Sequence, residues 1–179
     1  MVARPRSRIW LTALGLLGAA LAVTTRHDGR QPAPAGRHAA DRPTVERVID
    51  GDTIKLADGR VVRYIGIDTP EVRRREGTRW VEDPEPFAKS ASQANTALVR
   101  GRAVRLEFDV ERRDRYGRLL AYVYIDGPDG HEVMVNEELA RLGAAQLLTI
   151  PPNVRYVERF RRAVSEARRE ERGLWGERD

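Results

Sequence analysis

The chain has 179 residues, enough for one domain with its own hydrophobic core, and its hydrophobic fraction of 41% and charged fraction of 33% are ordinary for a globular protein. It contains no cysteine, which excludes disulfides and thiolate sites, and two of its three histidines lie in the first forty residues, which excludes a multi-histidine zinc site in the remainder. The chain has 32 basic and 27 acidic residues. Six of the basic residues and one of the acidic residues lie in residues 1–40, so residues 41–179 contain 26 of each. The net charge of +5 therefore comes from the N-terminal segment and does not by itself indicate a nucleic-acid partner.

The N-terminal segment has the pattern of an export signal. Three arginines precede an uncharged run over residues 9–25, and Ala-Leu-Ala at 20–22 fits a small-x-small cleavage site. The run is close to the lower limit of about 17 residues for a membrane span, so a cleaved signal at 1–22 is favoured over an uncleaved anchor. Residues 23–42, rich in Gly, Pro, Ala and charge, are predicted to be a flexible linker. We expect a secreted or cell-surface protein, with a membrane tether through 9–25 as the alternative to cleavage.

The predicted domain spans residues 43–176 and begins with short segments rich in β-branched residues. "TVERVID", "TIKLA" and "RVVRYIGI" are separated by Gly-Asp at 51–52 and Asp-Gly at 58–59, which predicts strands joined by tight turns. Two more strands are predicted at 102–110, where apolar and charged residues alternate, and at 119–125. The pattern predicts about five strands.

Three helices are predicted between and after these strands. The first covers 85–100 and ends at Gly101, the second lies in "MVNEELARLG" at 134–143, and the third starts after an Asn153 cap and ends at Gly173. The apolar stripe of the third helix consists of Val154, Val157, Phe160, Val164 and Ala167. These stripes are interpreted as core-packing faces. The predicted fold class is α+β and mainly β: a small five-stranded Greek-key barrel with about three helices.

Two aspartates next to predicted turns are candidate ligands of a cation. Asp52 lies in an Asp-Gly-Asp turn, where aspartates also occur for purely structural reasons. Asp68 ends a strand, and Pro70 keeps Thr69 extended. If the strands on either side of the 58–59 turn form a hairpin, Asp52 lies near Asp68. Two carboxylates and the Thr69 carbonyl are an oxygen set that suits a hard cation such as Ca²⁺ better than zinc or copper.

A glutamate and two arginines lie close to this set in the sequence or in the predicted sheet. Glu71 could accept a proton from a water molecule. Arg63 lies inside an apolar run, where an unpaired charge is costly, so it is expected to pair with Asp68 or Glu71 or to bind phosphate. Arg118 lies in a polar turn and could simply be solvated. A cation, a carboxylate base and guanidinium groups together are the requirements of phosphoryl transfer to water.

Four segments in order resemble signatures of the staphylococcal (micrococcal) nuclease family, whose members are also called thermonucleases. They are "VIDGDTIKL", "VRYIGIDTPE", "DRYGRLLAYVY" and "VMVNEELARLGAA". The match runs from about Thr44 to Trp175. The resemblance implies an OB-fold barrel with three helices, and a Ca²⁺-dependent phosphodiesterase that acts on DNA and RNA. We expect single-stranded substrates to be preferred.

The resemblance also implies the residues that hold the metal and activate water. Asp52 and Asp68 would be the calcium ligands, together with the carbonyl of Thr69. Glu71 would be the general base or would orient the attacking water. Asp50 would lie next to the metal ligands without binding the metal directly.

Four further residues acquire substrate-binding or catalytic roles by the same resemblance. Arg63 and Arg118 would bind the phosphate and stabilise the transition state. Arg115 and Tyr116 hold the places of the basic residue and the tyrosine that help bind the nucleotide.

Two segments depart from the family pattern. Residues 148–150 are Leu, Thr and Ile where the staphylococcal enzyme has tyrosines for stacking, which is worth roughly 1–3 kcal/mol per base. Tyr156 could compensate, although packing of its helix is the simpler explanation. The segment 72–86 mixes arginines with Trp80, and is interpreted either as a loop that grips single-stranded nucleic acid or as a solvated loop.

Two other classes of function are compatible with parts of the sequence. A non-catalytic module that binds nucleic acid or protein could use the same barrel, since fold does not determine function. A structural calcium-binding domain would use the aspartates and leave the arginines unexplained. The enzyme is favoured because all five charged residues that it needs are present: Asp52, Arg63, Asp68, Glu71 and Arg118. It is expected to be a monomer.

Overall fold

The computed structural model describes residues 42–71, 73–77, 79–82 and 85–176. The predicted signal at 1–22 and all but the last residue of the predicted linker at 23–42 lie outside the described residues. Within the described ranges, no helix combines the length and the apolar character that a membrane span requires.

The described residues form ten short strands. In chain order these are β1 (Val45–Asp50), β2 (Thr53–Leu56), β3 (Val61–Tyr64), β4 (Ile67–Asp68), β5 (Arg73–Glu76), β6 (Arg79–Glu82), β7 (Arg105–Glu107), β8 (Leu119–Asp126), β9 (Glu132–Met134) and β10 (Gln146–Leu147). The main sheet has the order β1-β2-β3-β8-β7, and β9 pairs with the other part of β8. Strands β3 and β8 are parallel, and their neighbours are antiparallel. The pairs β4–β10 and β5–β6 stand apart from this sheet.

The main sheet curls so that its two outer strands approach each other. An isolated bridge joins Thr44 to Ala103, and the Val104 amide donates to the Pro43 carbonyl over 3.0 Å. The ladder is not continuous at this point, so the barrel is only partly closed. A five-strand path that curls with helices packed on it confirms the predicted α+β, mainly β OB-fold.

Two details of the strand prediction are wrong. The predicted strand "RVVRYIGI" is divided into β3 and β4 by Gly66, whose φ of +85° breaks the extended backbone. The segment 72–86, interpreted as a loop, contains the antiparallel hairpin of β5 and β6. The side chain of Trp80 lies outside the described part of the structure, so the proposed grip on nucleic acid stays a prediction.

The three predicted helices are α1 (Ala88–Val99), α2 (Val135–Arg141) and α3 (Val157–Arg169), followed by one turn of 3₁₀ helix at Gly173–Trp175. The predicted Asn153 cap is wrong, because α3 begins at Val157 and the Asn153 side chain bonds instead to the backbone of Glu111. Val154, predicted in the apolar stripe, is 40% exposed and precedes the helix.

The core lies between the curled sheet and the helices. Its largest fully buried side chains include Tyr64, Tyr122 and Phe160. Phe160 of α3 packs against Tyr122 of β8 and so attaches the helix to the sheet. A buried asparagine, Asn95, connects a helix to two strands. Asn95 of α1 accepts from the Tyr64 hydroxyl (3.0 Å) and donates to the Asp50 carbonyl (3.3 Å). A buried amide is stable only when its polar atoms have partners, so Asn95 fixes the end of β1 against α1.

Candidate active site

The turn between β1 and β2 and the end of β4 meet at the carboxylate of Asp52. Its Oδ2 accepts from both the backbone N–H and the hydroxyl of Thr69, at 3.0 Å each, and its Oδ1 accepts from the Thr53 hydroxyl at 3.0 Å. Asp52 is only 5% exposed. The predicted pairing of β2 with β3 is present. Asp52 meets Thr69, the residue that follows Asp68, through the two hydrogen bonds from Thr69.

Arg63 lies between the two predicted calcium ligands. Thr53 pairs with Arg63 across β2 and β3, which places the arginine beside the Asp52 turn. One terminal nitrogen of Arg63 is 2.6 Å from Asp52 Oδ2, and the other is 2.7 Å from Asp68 Oδ1. The side chain is 13% exposed. The expected ion pair with Asp68 is therefore present, and the partner that the sequence did not indicate is Asp52.

Glu71 lies at the edge of the same group of charges. Its backbone N–H donates to the Glu85 carboxylate at 3.2 Å, and this contact holds the chain just after β4. Burial, a hydrogen bond with Asp50 and the negative charges of Asp50 and Asp52 raise the pKa of Glu71 to about 7, against the opposing effect of Arg63. A carboxyl group in this environment can hold or release a proton near neutral pH.

Arg118 is oriented by Asp114, a residue to which the sequence analysis assigned no role. Asp114 Oδ1 accepts the backbone N–H groups of Tyr116 (2.9 Å) and Arg118 (3.0 Å), and Oδ2 accepts from Arg118 Nε at 2.6 Å. Burial acts to raise the pKa of Asp114, but the hydrogen bonds from Arg118 and the two N–H groups outweigh it, so the pKa is lowered. The Asp-x-x-x-Arg spacing in a turn sequence was the available signal for this pair.

Two adjoining clefts bring the predicted residues together. The smaller cleft, about 300 Å³, is lined by Ile49, Asp50, Asp52, Thr53, Val61, Arg63, Glu71 and Arg118. The larger cleft, about 460 Å³, also contains Arg63 and Arg118 and adds Arg115, Tyr116, Leu148 and Ile150 among its lining residues. The two arginines line both clefts. The structure thus brings the predicted catalytic residues to one cleft and the predicted nucleotide-binding residues to its neighbour.

The carboxylates of the two predicted calcium ligands lie on either side of the Arg63 guanidinium group. Asp52 and Asp68 contact the same guanidinium group, so their carboxylates converge on one small region. Among the described residues there is no group of three or more His, Cys, Asp or Glu side chains arranged to hold a metal. A cation here would depend on the two carboxylates, the Thr69 carbonyl and water, a set typical of Ca²⁺.

Tyr156 does not replace the missing tyrosines of 148–150. Its hydroxyl donates to Glu107 at 2.8 Å, and its ring packs edge-on against Tyr122 with centroids 4.7 Å apart. These contacts fit the interpretation that Tyr156 packs the start of α3. Leu148 and Ile150 line the larger cleft, so its wall is aliphatic at these positions.

Comparison with known proteins identifies the family. The staphylococcal nuclease homologue family matches residues 61–177. The SPbeta prophage-derived endonuclease YokF and the endonuclease YncB, both of Bacillus subtilis (strain 168), are each 40% identical over 136 residues, which is 74% of this chain. The chain covers 43% and 60% of the lengths of these two relatives. A thermonuclease of Staphylococcus hyicus is 39% identical over 146 residues, covering 79% of this chain and 80% of that protein. The chain therefore belongs to the staphylococcal nuclease homologue family.

Proposed function

We propose that this protein is a calcium-dependent phosphodiesterase that hydrolyses DNA and RNA by attack of water on phosphorus. The observation that carries the proposal is the smaller cleft, in which Asp52, Arg63, Glu71 and Arg118 line one space. The relatives named as endonucleases and thermonuclease support the same class of reaction.

The metal ligands would be Asp52, Asp68 and the carbonyl of Thr69. Bound Ca²⁺ supplies positive charge beside a phosphate oxygen and polarises a water molecule. Arg63 contacts both carboxylates, and its guanidinium group would bind a phosphate oxygen beside them. Three hydrogen bonds, one from Thr53 and two from Thr69, keep this carboxylate in one orientation.

Glu71 and Arg118 complete the chemistry. Glu71 orients the attacking water and accepts its proton, and its place in the cleft wall with Asp52 and Arg63 supports this role. Arg118 donates to Asp114 through Nε, so within the described part of the structure its two terminal nitrogens are available to bind phosphate oxygens. Planar guanidinium groups suit the charge that develops on these oxygens in the transition state.

The larger cleft binds the nucleotide next to the cleaved bond. Tyr116 is 67% exposed, and the guanidinium groups of Arg115 and Arg118 lie 4.8 and 5.5 Å from its ring centroid. An exposed aromatic face can stack on a base only when that base is not stacked in a duplex. The site therefore favours single-stranded substrates.

The test compares the unaltered 179-residue chain with Glu71→Gln on single-stranded DNA and on RNA. We expect cleavage with Ca²⁺ and none with excess EDTA, and a kcat for Glu71→Gln lower by about 10²–10⁴-fold, the range for loss of a general base. Strand affinity should change little, because the substitution keeps the shape of the side chain. Glu46→Gln, which alters a surface ion pair with Lys55, serves as the control and should retain activity.

A protein that binds strands but cuts neither DNA nor RNA at any calcium concentration would contradict this function. That result would favour the non-catalytic binding module. Equal activity with Ca²⁺ and with EDTA would contradict the calcium requirement alone.

We also propose that the protein is exported through residues 1–22 and acts outside the cell or at its surface. The basic residues followed by the uncharged run at 9–25 support this location. N-terminal sequencing of the secreted protein should find a mature chain that starts near residue 23. Recovery of the intact chain from the cytoplasm would contradict export.

A further inference from the structure

Two segments of the chain form the walls of the larger cleft. The first wall, residues 111–118, lines the cleft through Glu111, Asp114, Arg115, Tyr116 and Arg118. The second wall, residues 148–153, lines it through Leu148, Ile150 and Asn153. The first wall carries the guanidinium groups and the exposed aromatic ring, and the second provides aliphatic surface.

One side chain connects the two walls. Asn153 is 7% exposed, and its amide makes two hydrogen bonds to the backbone of Glu111, which is 42 residues away in the sequence. The Glu111 N–H donates to Asn153 Oδ1 at 2.8 Å, and Asn153 Nδ2 donates to the Glu111 carbonyl at 2.9 Å. The amide thus pairs with the backbone of the other wall as a neighbouring strand would.

A second connection lies beside the first and does not use Asn153. The Arg155 backbone N–H donates to Asp109 Oδ2 at 3.0 Å, and the Tyr122 hydroxyl donates to the same oxygen at 2.9 Å. These bonds attach the chain ahead of α3 to the segment after β7. Removal of the Asn153 amide therefore leaves the two segments joined and frees only the part that lines the cleft.

We propose that Asn153 is a positioning residue that sets the separation of the two walls and thereby the binding of the base that enters between them. The inference rests on the proposed nuclease function. It concerns the base and not the phosphate, because no residue of the second wall lines the smaller cleft, where the ion pairs of Arg63 and Arg118 hold these two arginines.

The physical reason is the steep distance dependence of contact between a flat base and the walls. A gap of 0.5–1 Å forfeits about a quarter to a half of the dispersion attraction at each contact. Leu148 and Ile150 can contact a base opposite Tyr116 only if the walls keep their spacing. If the second wall drifts away from the first, binding of the base weakens, while the reacting groups in the smaller cleft remain in place because none of them lies on the second wall.

The experiment measures KM and kcat for the full chain and for Asn153→Ala on two substrates with Ca²⁺. One is a short single-stranded oligonucleotide, and the other has the same sugar-phosphate backbone with every base replaced by an abasic sugar. For the base-bearing substrate we expect a KM about tenfold higher, as for loss of part of the contact between the base and the walls, and a kcat within about twofold of that of the unaltered chain. For the abasic substrate both constants should stay within about twofold.

Two further variants complete the design. Asn153→Gln keeps both the acceptor and the donor but displaces them by one methylene group, so its KM should be intermediate; it also takes the place of Asn153→Ala if that variant does not melt cooperatively. Val154→Ala changes the adjacent exposed residue and should match the unaltered chain.

The outcomes separate this inference from the proposed function. A change confined to the KM of the base-bearing substrate supports Asn153 as a positioning residue. An unchanged KM, or equal changes on both substrates, overturns it while leaving the nuclease function intact. An unaltered chain that cuts neither substrate overturns the function, and the inference with it.

Discussion

At the scale of single residues, the pairing of Arg63 explains why an arginine occurs in an apolar run. Its guanidinium contacts Asp52 and Asp68 together, and the carbonyl of Ile67 accepts a further hydrogen bond at 3.2 Å. Asp52 is the more buried carboxylate, with a side chain that is 7% exposed against 42% for Asp68. Removing the arginine leaves a buried negative charge without its main partner.

We expect Arg63→Ala to lower the free energy of unfolding by about 3 kcal/mol, the lower end of the range for a broken buried ion pair. Ca²⁺ should restore part of this loss, because a cation bound by Asp52 and Asp68 replaces the missing charge. Thermal melting with and without Ca²⁺ measures both effects, and the melting temperature of Arg63→Ala should rise more than that of the unaltered chain. Equal shifts would show that the two aspartates do not bind the cation.

At the scale of secondary-structure elements, Gly66 determines how β3, β4 and α3 fit together. A Cβ atom at this position would overlap the ring of Phe160, and the φ of +85° disfavours any other residue. The same junction supports the site, because β4 ends at Asp68 and Gly66 lines the larger cleft.

Gly66→Ala should therefore destabilise the fold by about 3 kcal/mol, from the sum of backbone strain and overpacking. Gly59→Ala is a matched control, since Gly59 has a φ of +88° and open space around its Cβ position, and should cost only about 1 kcal/mol. Urea unfolding measures both. Equal losses for the two variants would mean that α3 adjusts to the added methyl group.

Strands β7 and β9 both pair with β8, and an ion pair between Arg105 of β7 and Glu132 of β9 joins them. Arg105 bonds to both oxygens of Glu132 at 2.6–2.9 Å, and Arg42 bonds to Glu132 at 2.6 Å. The Arg105 hydrogen bonds hold the pKa of Glu132 below its usual 4.5, against the effect of burial. A carboxylate with a lowered folded-state pKa stabilises the fold above the unfolded pKa and loses this contribution as the pH falls through the folded pKa.

Glu132→Gln should thus lower the free energy of unfolding by about 0.5–1 kcal/mol at pH 7, and the difference from the unaltered chain should vanish as the pH falls well below 4.5. Denaturant unfolding at a series of pH values tests this. Glu158→Gln, in a more exposed pair with Arg161, should change stability little at any pH. A loss that is the same at every pH would assign the effect to packing and not to charge.

At the scale of the whole molecule, attraction to nucleic acid cannot come from bulk charge. Residues 41–179 contain equal numbers of basic and acidic residues, and many arginines are neutralised in ion pairs such as Arg141–Glu138 and Arg155–Glu107. The local field at the two clefts, where three arginines line one continuous surface, can supply it.

Strand binding should accordingly show a modest salt dependence. Three phosphate contacts predict a slope of log K against log salt concentration of about −2 for a single strand, and Arg115→Gln should make the slope shallower by about 0.7. Binding of a labelled oligonucleotide by the inactive Glu71→Gln chain measures the slope. Arg161→Gln, which lies in a surface pair on α3, is the control. A slope that Arg115→Gln leaves unchanged would exclude a phosphate contact for Arg115.

Much of the fold and of the site could be predicted from the sequence. The β-branched segments and their turns indicated the five-strand path, and the hairpin across 58–59 followed from the Asp-Gly turn. Because a hairpin register follows from its turn, the approach of Asp52 to the end of β4 could be inferred without coordinates. The family motifs indicated which charged residues belong to one site.

Only the tertiary structure showed which partners these residues have. Local periodicity does not predict the contact of Arg63 with Asp52, the pair of hydrogen bonds between Asn153 and Glu111, or the hairpin within 72–86. The bonds of Asn153 join segments 42 residues apart, and side-chain hydrogen bonds between distant segments leave no spacing signal in the sequence. The β5–β6 hairpin stands apart from the main sheet, and the Arg63 contact depends on side-chain orientation beside the β2–β3 pair. Local patterns therefore determined the elements and the chemical types, while packing of the barrel determined the pairs of atoms that meet.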